Sequence, residues 1–206
     1  MKKRIEVNMK TIEVLCNELT TGATNALFEK SENDSEGTMR LLTGSSVNLN
    51  GEIVEQQLSS VTIAEGKSMQ RFLLQAGDVV LLAKGNSIRA GYVTEQLAKL
   101  NVIASANFIV LRPNQNEVLG EVLVAYFNSP AGQSVLDAAS TGAAIKNINL
   151  ANIRKIEIEL PTLSKQREIA ELFHASNQAY NATLNLAEQQ KKVAMACISQ
   201  LIKGAA

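Results

Sequence analysis

Residues 140–170, STGAAIKNINLANIRKIEIELPTLSKQREIA, combine a polar loop, a strand and the beginning of a helix in one short segment. The part RKIEIEL (154–160) alternates charged and apolar residues. In a strand, such alternation places Ile156, Ile158 and Leu160 on one face and the charged residues on the other. The segment therefore predicts a strand that buries one face in a domain core.

Pro161 ends this strand and marks a change in composition. From Ser164 to Lys203 there is no proline or glycine, and Ala, Gln, Lys, Glu and Leu dominate. This pattern predicts one long helix of about 35 to 40 residues, about 55 Å in length at 1.5 Å per residue. We therefore divide the chain into a globular domain, residues 1–161, and a helical arm, residues 162–206.

The predicted helix carries an apolar stripe with a seven-residue repeat, interrupted by the polar residues Thr183 and Gln190. The stripe consists of Phe173, Tyr180, Ala187, Ala194 and Leu201, with Ile169, Leu184 and Ile198 beside it. Two explanations are open: the helix folds back on its own domain, or it packs against a partner helix. We favour the partner helix, because so small a domain cannot cover a helix of this length.

Before the helix, short apolar runs bounded by turn residues predict strands. AGDVVLLAKGNSIRAGYV (76–93) reads as a hairpin whose first strand is Asp78 to Ala83 and whose tip is Lys84 to Ser87. Further predicted strands are Met39 to Thr43, Ser60 to Ala64, Asn107 to Arg112 and Arg154 to Leu160.

Helical segments lie between these strands. NEVLGEVLVAYFN (116–128) has apolar residues at helical spacing, and a second helix is predicted from Ser129 as N-cap with Pro130 at the first helical position. The predicted fold class is α+β: a domain with a mixed sheet, followed by one long C-terminal α-helix.

Composition limits the functional classes. The chain has 206 residues, and 20 Lys plus Arg balance 20 Asp plus Glu, so it is not expected to hold nucleic acid by bulk attraction alone. There is no apolar run long enough for a membrane span and no secretory signal, so we expect a cytoplasmic protein without membrane partners. Cys16 and Cys197 are too few for a disulfide framework, and no metal site is expected.

The order of the segments resembles the target-recognition domain and adjoining helix of type I restriction-modification specificity subunits. The resemblance rests on GDVVLLAKGNSIRAGYV (77–93), ANFIVLRPN (106–114) and the stretch from AYFNSP to REIAELF (125–173). The family typically has a polar loop, a strand, a proline and a helix that opens near a Glu-Gln pair. Here LPT replaces the usual double proline and Lys165-Gln166 replaces Glu-Gln.

Family members usually carry two recognition domains and two long helices that pack antiparallel. This chain has one of each, so the resemblance implies a half-length form that acts as a homodimer through the helix and reads a two-part DNA site. Pairing with a different half-subunit is the other arrangement.

The resemblance also implies which partners supply the chemistry. The sequence has no methyltransferase tetrapeptide of the Asn-Pro-Pro-Tyr type and no nucleotide-binding motif, so no catalytic residue and no cofactor is assigned to this chain. S-adenosylmethionine is expected on partner methyltransferase (modification) subunits, and cleavage on a restriction subunit where the system has one. The competing hypothesis is a non-catalytic protein-interaction scaffold with the same fold but no base reading.

Candidate DNA-reading residues are polar side chains on loops, since Arg and Lys pair with guanine, Asn and Gln with adenine, and hydroxyls with phosphates. The hairpin tip offers Lys84, Asn86, Ser87 and Arg89, and the loop before the last strand offers Thr141, Lys146, Asn147 and Asn149. A weaker set is Arg40 and Ser45. For each loop, an ordinary solvated turn is the alternative interpretation. His174, the only histidine, receives no role.

Overall fold

The computed structural model describes residues 9–28, 39–142 and 145–204. The strands, in chain order, are β1 (Met9–Thr11), β2 (Cys16–Thr21), β3 (Met39–Leu42), β4 (Ser59–Val61), β5 (Val79–Leu82), β6 (Lys84–Gly85), β7 (Arg89–Tyr92), β8 (Val102–Ala104), β9 (Phe108–Pro113), β10 (Lys146–Asn147) and β11 (Glu157–Glu159). The helices are α1 (Ile12–Leu15), α2 (Glu95–Ala98), α3 (Gly120–Asn128), α4 (Pro130–Ala139), α5 (Leu150–Arg154) and α6 (Leu163–Gly204).

Among the described residues, two larger sheets build the core of the domain, beside the two-stranded pairs β1–β11 and β6–β10. The larger is antiparallel with strand order β2-β9-β5-β7, and the smaller has the order β4-β3-β8 with a parallel pair between β3 and β8. All four residues of β5 are buried, as expected for a short continuous apolar run inside a sheet. Side chains of both sheets, including Leu42, Val80, Val102 and Phe108, form one hydrophobic cluster. Mixed sheets followed by a long helix confirm the predicted α+β class.

The predicted hairpin is confirmed. β5 pairs antiparallel with β7, and Leu82 lies opposite Arg89 at the end near the tip. The strands predicted at 39–43, 60–64 and 107–112 correspond to β3, β4 and β9, whose ends differ from the predicted ones by up to three residues.

The strand predicted from Arg154 to Leu160 is shorter than expected. Arg154 instead belongs to helix α5, which begins at Leu150. Asn149 caps this helix, since its side chain accepts a hydrogen bond from the Asn152 amide (2.8 Å). The strand itself is β11, which pairs with β1. Ile156 and Ile158 are buried, in agreement with the alternation in the sequence.

The two middle helices are confirmed, with one change of boundary. α4 begins after Ser129, whose side chain accepts a hydrogen bond from the Gly132 amide (3.1 Å). α3 begins at Gly120 and not near Asn116. A Cβ atom at Gly120 would lie 2.6 Å from the Gly77 carbonyl oxygen, so glycine allows the helix start to pack closely against the chain entering β5.

α6 has 42 residues and confirms the single long helix. The chain divides into two compact units, Met1–Ala170 and Glu171–Ala206, so the first turns of α6 belong to the domain. Among residues 9–28, 39–142 and 145–204, no helix combines the length and apolar character required to cross a bilayer.

Gln166 fastens the beginning of α6 to the domain. Its side chain is 1% exposed, and its Oε1 accepts a hydrogen bond from the Leu119 amide (3.0 Å). Its Nε2 donates to the carbonyl oxygens of Glu117 (3.1 Å) and Pro161 (3.0 Å). One amide side chain therefore satisfies three backbone groups at the junction of α3 and α6.

We predict that Gln166→Leu lowers the free energy of unfolding by about 2 kcal/mol, because it leaves buried backbone groups without hydrogen-bond partners. Urea unfolding measures the change. The control is Lys165→Ala at the exposed neighbouring position, where a change below about 0.5 kcal/mol is expected. Equal stability of the two variants would contradict the fastening role.

Candidate nucleic-acid interface

The structure brings together two of the predicted DNA-reading segments. β6, at the hairpin tip, pairs antiparallel with β10, in the loop before α5, with Lys84 opposite Asn147 and Gly85 opposite Lys146. The Ile148 amide extends this pairing by donating to the Ala83 carbonyl (2.9 Å). We call the two-stranded unit β6–β10 the ribbon. Segments that lie far apart in the sequence thus form one surface feature.

Thr141 belongs to the same surface. Its amide donates to the Asn147 carbonyl (2.8 Å), and the Asn147 amide donates to the Thr141 carbonyl (3.0 Å). The Thr141 hydroxyl also donates to the Asn147 carbonyl (3.1 Å). Together with the pairing to β6, these bonds hold the backbone of β10 on both sides, which is the rigidity that a reading surface requires.

Four predicted side chains on or next to the ribbon are exposed: Lys84, Asn86, Ser87 and Asn147. Within the part of the chain that the structure describes, these four side chains make no hydrogen bond or ion pair. They can therefore bind a ligand without first breaking a contact within the protein.

Two further predicted residues are already engaged. Lys146 forms an ion pair with Asp137 of α4, and Asn149 caps α5. Asp137 lies in the helix predicted from Ser129, but the sequence does not indicate that its side chain faces this loop. Lys146 and Asn149 hold the loop in place, and their contact with DNA stays a prediction.

The third predicted segment touches the hairpin through Arg89. One terminal nitrogen of Arg89 donates to the Gly44 carbonyl, in the turn Gly44–Ser46, while its Nε is buried without a partner among the described residues. Ser45 in this turn is exposed. Arg40 is exposed on β3 and donates to the Ser60 hydroxyl. Arg89 thus links the tip end of the hairpin to the hydroxyl-rich turn.

Ile145, which precedes the ribbon strand β10, is 59% exposed. A sequence search restricted to polar residues passes over it. One signal was available in the sequence. Ile145 is an aliphatic residue directly before Lys146-Asn147, and the surrounding loop has no helical or strand periodicity that would place it in the core.

The groups with shifted pKa lie near Asp78, at the end of β5 that is away from the ribbon. Burial, with the negative charge of Asp78 adding to it, raises the pKa of the Cys16 thiol to about 12, so this thiol stays protonated and is a poor nucleophile. Within the described residues, no group of three or more His, Cys, Asp or Glu side chains could hold a metal ion.

The arm of α6 forms a second candidate surface. Of the predicted dimerisation residues, Ile169 and Phe173 are half-buried, and the others are exposed: Tyr180, Leu184, Ala187, Ala194, Ile198 and Leu201. Leu201 is 74% exposed. A second set of exposed apolar residues lies outside the predicted stripe: Leu172, Leu186, Val193, Met195 and Ile202. The single chain therefore leaves apolar side chains on more than one side of this helix.

Comparison with known proteins gives consistent matches. The family model described as the type I restriction modification DNA specificity domain matches residues 6–193. A search of curated proteins finds no match.

Three similar solved structures cover nearly all of this chain. The S subunit of a type I restriction-modification system from M. genitalium is 18% identical, with a TM-score of 0.57 over 93% of this chain and 45% of that chain. A chain from a study of complex assembly and conformational transition of the type I R-M system is 19% identical, with a TM-score of 0.61 over 93% of this chain and 48% of that chain. The HsdS subunit from Thermoanaerobacter tengcongensis is 17% identical, with a TM-score of 0.55 over 90% of this chain and 46% of that chain. This chain spans about half the length of these chains. At such identities the likeness shows the fold.

Proposed function

Because the chain belongs to the family of type I restriction modification DNA specificity domains, we propose that it recognises a specific sequence in double-stranded DNA. The ribbon carries this proposal: two separate segments meet there and expose Lys84, Asn86 and Asn147, the side-chain types that pair with base edges. In this proposal residues 1–161 form the target-recognition domain. The chain is not an enzyme itself, and it directs a methyltransferase to its site.

The chemistry in this proposal belongs to partners. Modification subunits bind S-adenosylmethionine and transfer its methyl group, and a restriction subunit cleaves where the system has one. The net charge of zero supports a need for partner subunits. The chain lacks the excess of basic residues with which it would bind DNA tightly on its own.

We further propose that residues 162–206 are a dimerisation and spacer arm. Exposed apolar residues along α6 support pairing with a second copy, since such side chains are normally covered. A two-fold dimer would present two ribbons, each reading one half of a bipartite site, with the arm setting the distance between them. The second apolar set on α6 supports contact with a further helix, which the modification subunit could supply.

The test replaces two exposed ribbon residues, Lys84→Ala and Asn147→Ala, in one variant. The full chain is expressed with the modification subunit of its system, and methylated sites are sequenced. We expect methylation at the wild-type site to fall at least about tenfold, because each base contact contributes about 1 to 3 kcal/mol of discrimination.

The matched control is Lys67→Ala with Asn116→Ala, which removes the same chemistry from exposed positions outside the ribbon. It should methylate like the wild type. If the ribbon variant modifies the same sites at the same rate, the ribbon does not read DNA, and the protein-interaction scaffold becomes the better hypothesis.

A further inference from the structure

The ribbon has two distinct faces. Residues directly opposite each other in an antiparallel pair share a face, and neighbours along a strand alternate. Lys84 and Asn147 therefore share one face, and Gly85 and Lys146 share the other. Asn86 follows β6 and Ile145 precedes β10, at positions where each chain bends, and both side chains are exposed beside Lys84 and Asn147. We call this set of four residues the reading face.

Exposure supports the assignment of the faces. All four residues of the reading face are exposed, whereas Gly85 and Lys146 are half-buried. Lys146 is held by Asp137 of α4, so the opposite face is turned toward the body of the domain. The domain thus supports the ribbon from behind and leaves one face open.

From the proposed function, and resting on it, we infer that the reading face enters the major groove and that Ile145 contacts the methyl group of a thymine. A two-stranded ribbon fits a groove about 12 Å wide, since its strands lie about 5 Å apart. The exposed aliphatic side chain of Ile145 matches the only apolar group that base pairs present there, the C5-methyl of thymine.

The neighbouring amides make an A·T pair the best match. Asn86 and Asn147 can each accept from and donate to the major-groove edge of adenine, while Ile145 covers the methyl group of its paired thymine. Lys84, by its charge, suits guanine or phosphate oxygens. The reading face thus combines a cation, two amides and one aliphatic group, and Ile145 becomes a specificity-determining residue.

The experiment uses the complex of the full chain with its modification subunit and a duplex that contains its methylation site. Each thymine is replaced in turn by uracil, which keeps the base pair and removes only the methyl group. At one position we expect about fourfold weaker binding by the wild type, the effect of one buried methyl. Ile145→Ala should bind the thymine duplex about fourfold more weakly and be indifferent to uracil at that position.

Val14→Ala is the control, because Val14 is an equally exposed aliphatic residue (63%) on α1, which has no residue in the ribbon. It should remain as sensitive to uracil as the wild type. If the wild type tolerates uracil at every position, or if Ile145→Ala stays as sensitive as the wild type, the thymine contact is overturned while the proposed function stands. A wild-type complex without any sequence preference would overturn both.

Discussion

Asp78→Ala is expected to lower the free energy of unfolding by about 3 kcal/mol. Asp78 is 1% exposed, and its two carboxylate oxygens accept hydrogen bonds from Nε (2.9 Å) and one terminal nitrogen (3.0 Å) of Arg112. It also accepts from the Gln75 amide (2.8 Å). Removing one partner of a buried ion pair typically costs about 3 to 5 kcal/mol, and the partial exposure of Arg112 places this site at the lower end.

The charge of Arg112 supports this expectation. The hydrogen bond to Asp78 raises the pKa of Arg112, against the lowering effect of its partial burial, and the charges of Asp78 and Glu18 add to the rise. The guanidinium is therefore always charged. Without Asp78 it would keep Glu18 as its charged partner, through a hydrogen bond of 2.6 Å at a more exposed position.

Urea unfolding of Asp78→Ala and of Glu18→Gln separates the two contributions. Glu18→Gln removes the exposed ion pair and should cost less than about 1 kcal/mol. If Asp78→Ala lowers the free energy of unfolding no more than Glu18→Gln does, the buried ion pair between Asp78 and Arg112 does not hold β5 and β9 together.

Local features of this fold could be predicted from the sequence, because they depend on residues close together in the chain. The hairpin of β5 and β7 follows from an apolar run between turn residues, and the start of α4 follows from Ser129 and Pro130. Asn149 was predicted only as a DNA-reading residue in a loop, and its role as the N-cap of α5 was missed.

The site could be predicted only in pieces. Both segments of the ribbon were identified by their polar residues, but their pairing involves two residues from each side, and so short a ladder leaves no periodic signal. The faces of the ribbon depend on that register. Which residues are open, such as Asn147, and which are engaged, such as Lys146, therefore could not be derived from the sequence.

The arm illustrates a different limit. The stripe through Tyr180 and Leu184 follows from a seven-residue repeat, but Leu172, Leu186 and Val193 form a second repeat in the same helix. Periodicity identifies both stripes and assigns no partner to either. Because both stripes are exposed in the single chain, each is a candidate dimerisation surface. Measuring dimerisation in solution distinguishes between them.

We predict that Leu184→Glu with Ile198→Glu raises the dissociation constant of the homodimer more than about 100-fold. Burial of each side chain contributes about 1.5 to 3 kcal/mol, so losing both removes at least about 3 kcal/mol, and each factor of ten in affinity corresponds to about 1.4 kcal/mol. Glutamate favours helix, so the exposed arm should keep its secondary structure. Light scattering over a range of concentrations measures the change.

The matched control is Gln178→Glu with Asn185→Glu, which adds the same charge to exposed polar positions outside both stripes. These residues and Lys192 recur at seven-residue spacing along a polar side of α6, so the control should dimerise like the wild type. A stripe variant that remains dimeric would move the interface to the Leu172 and Leu186 side or to the globular domain. The arm would then no longer account for a two-fold reader of bipartite DNA.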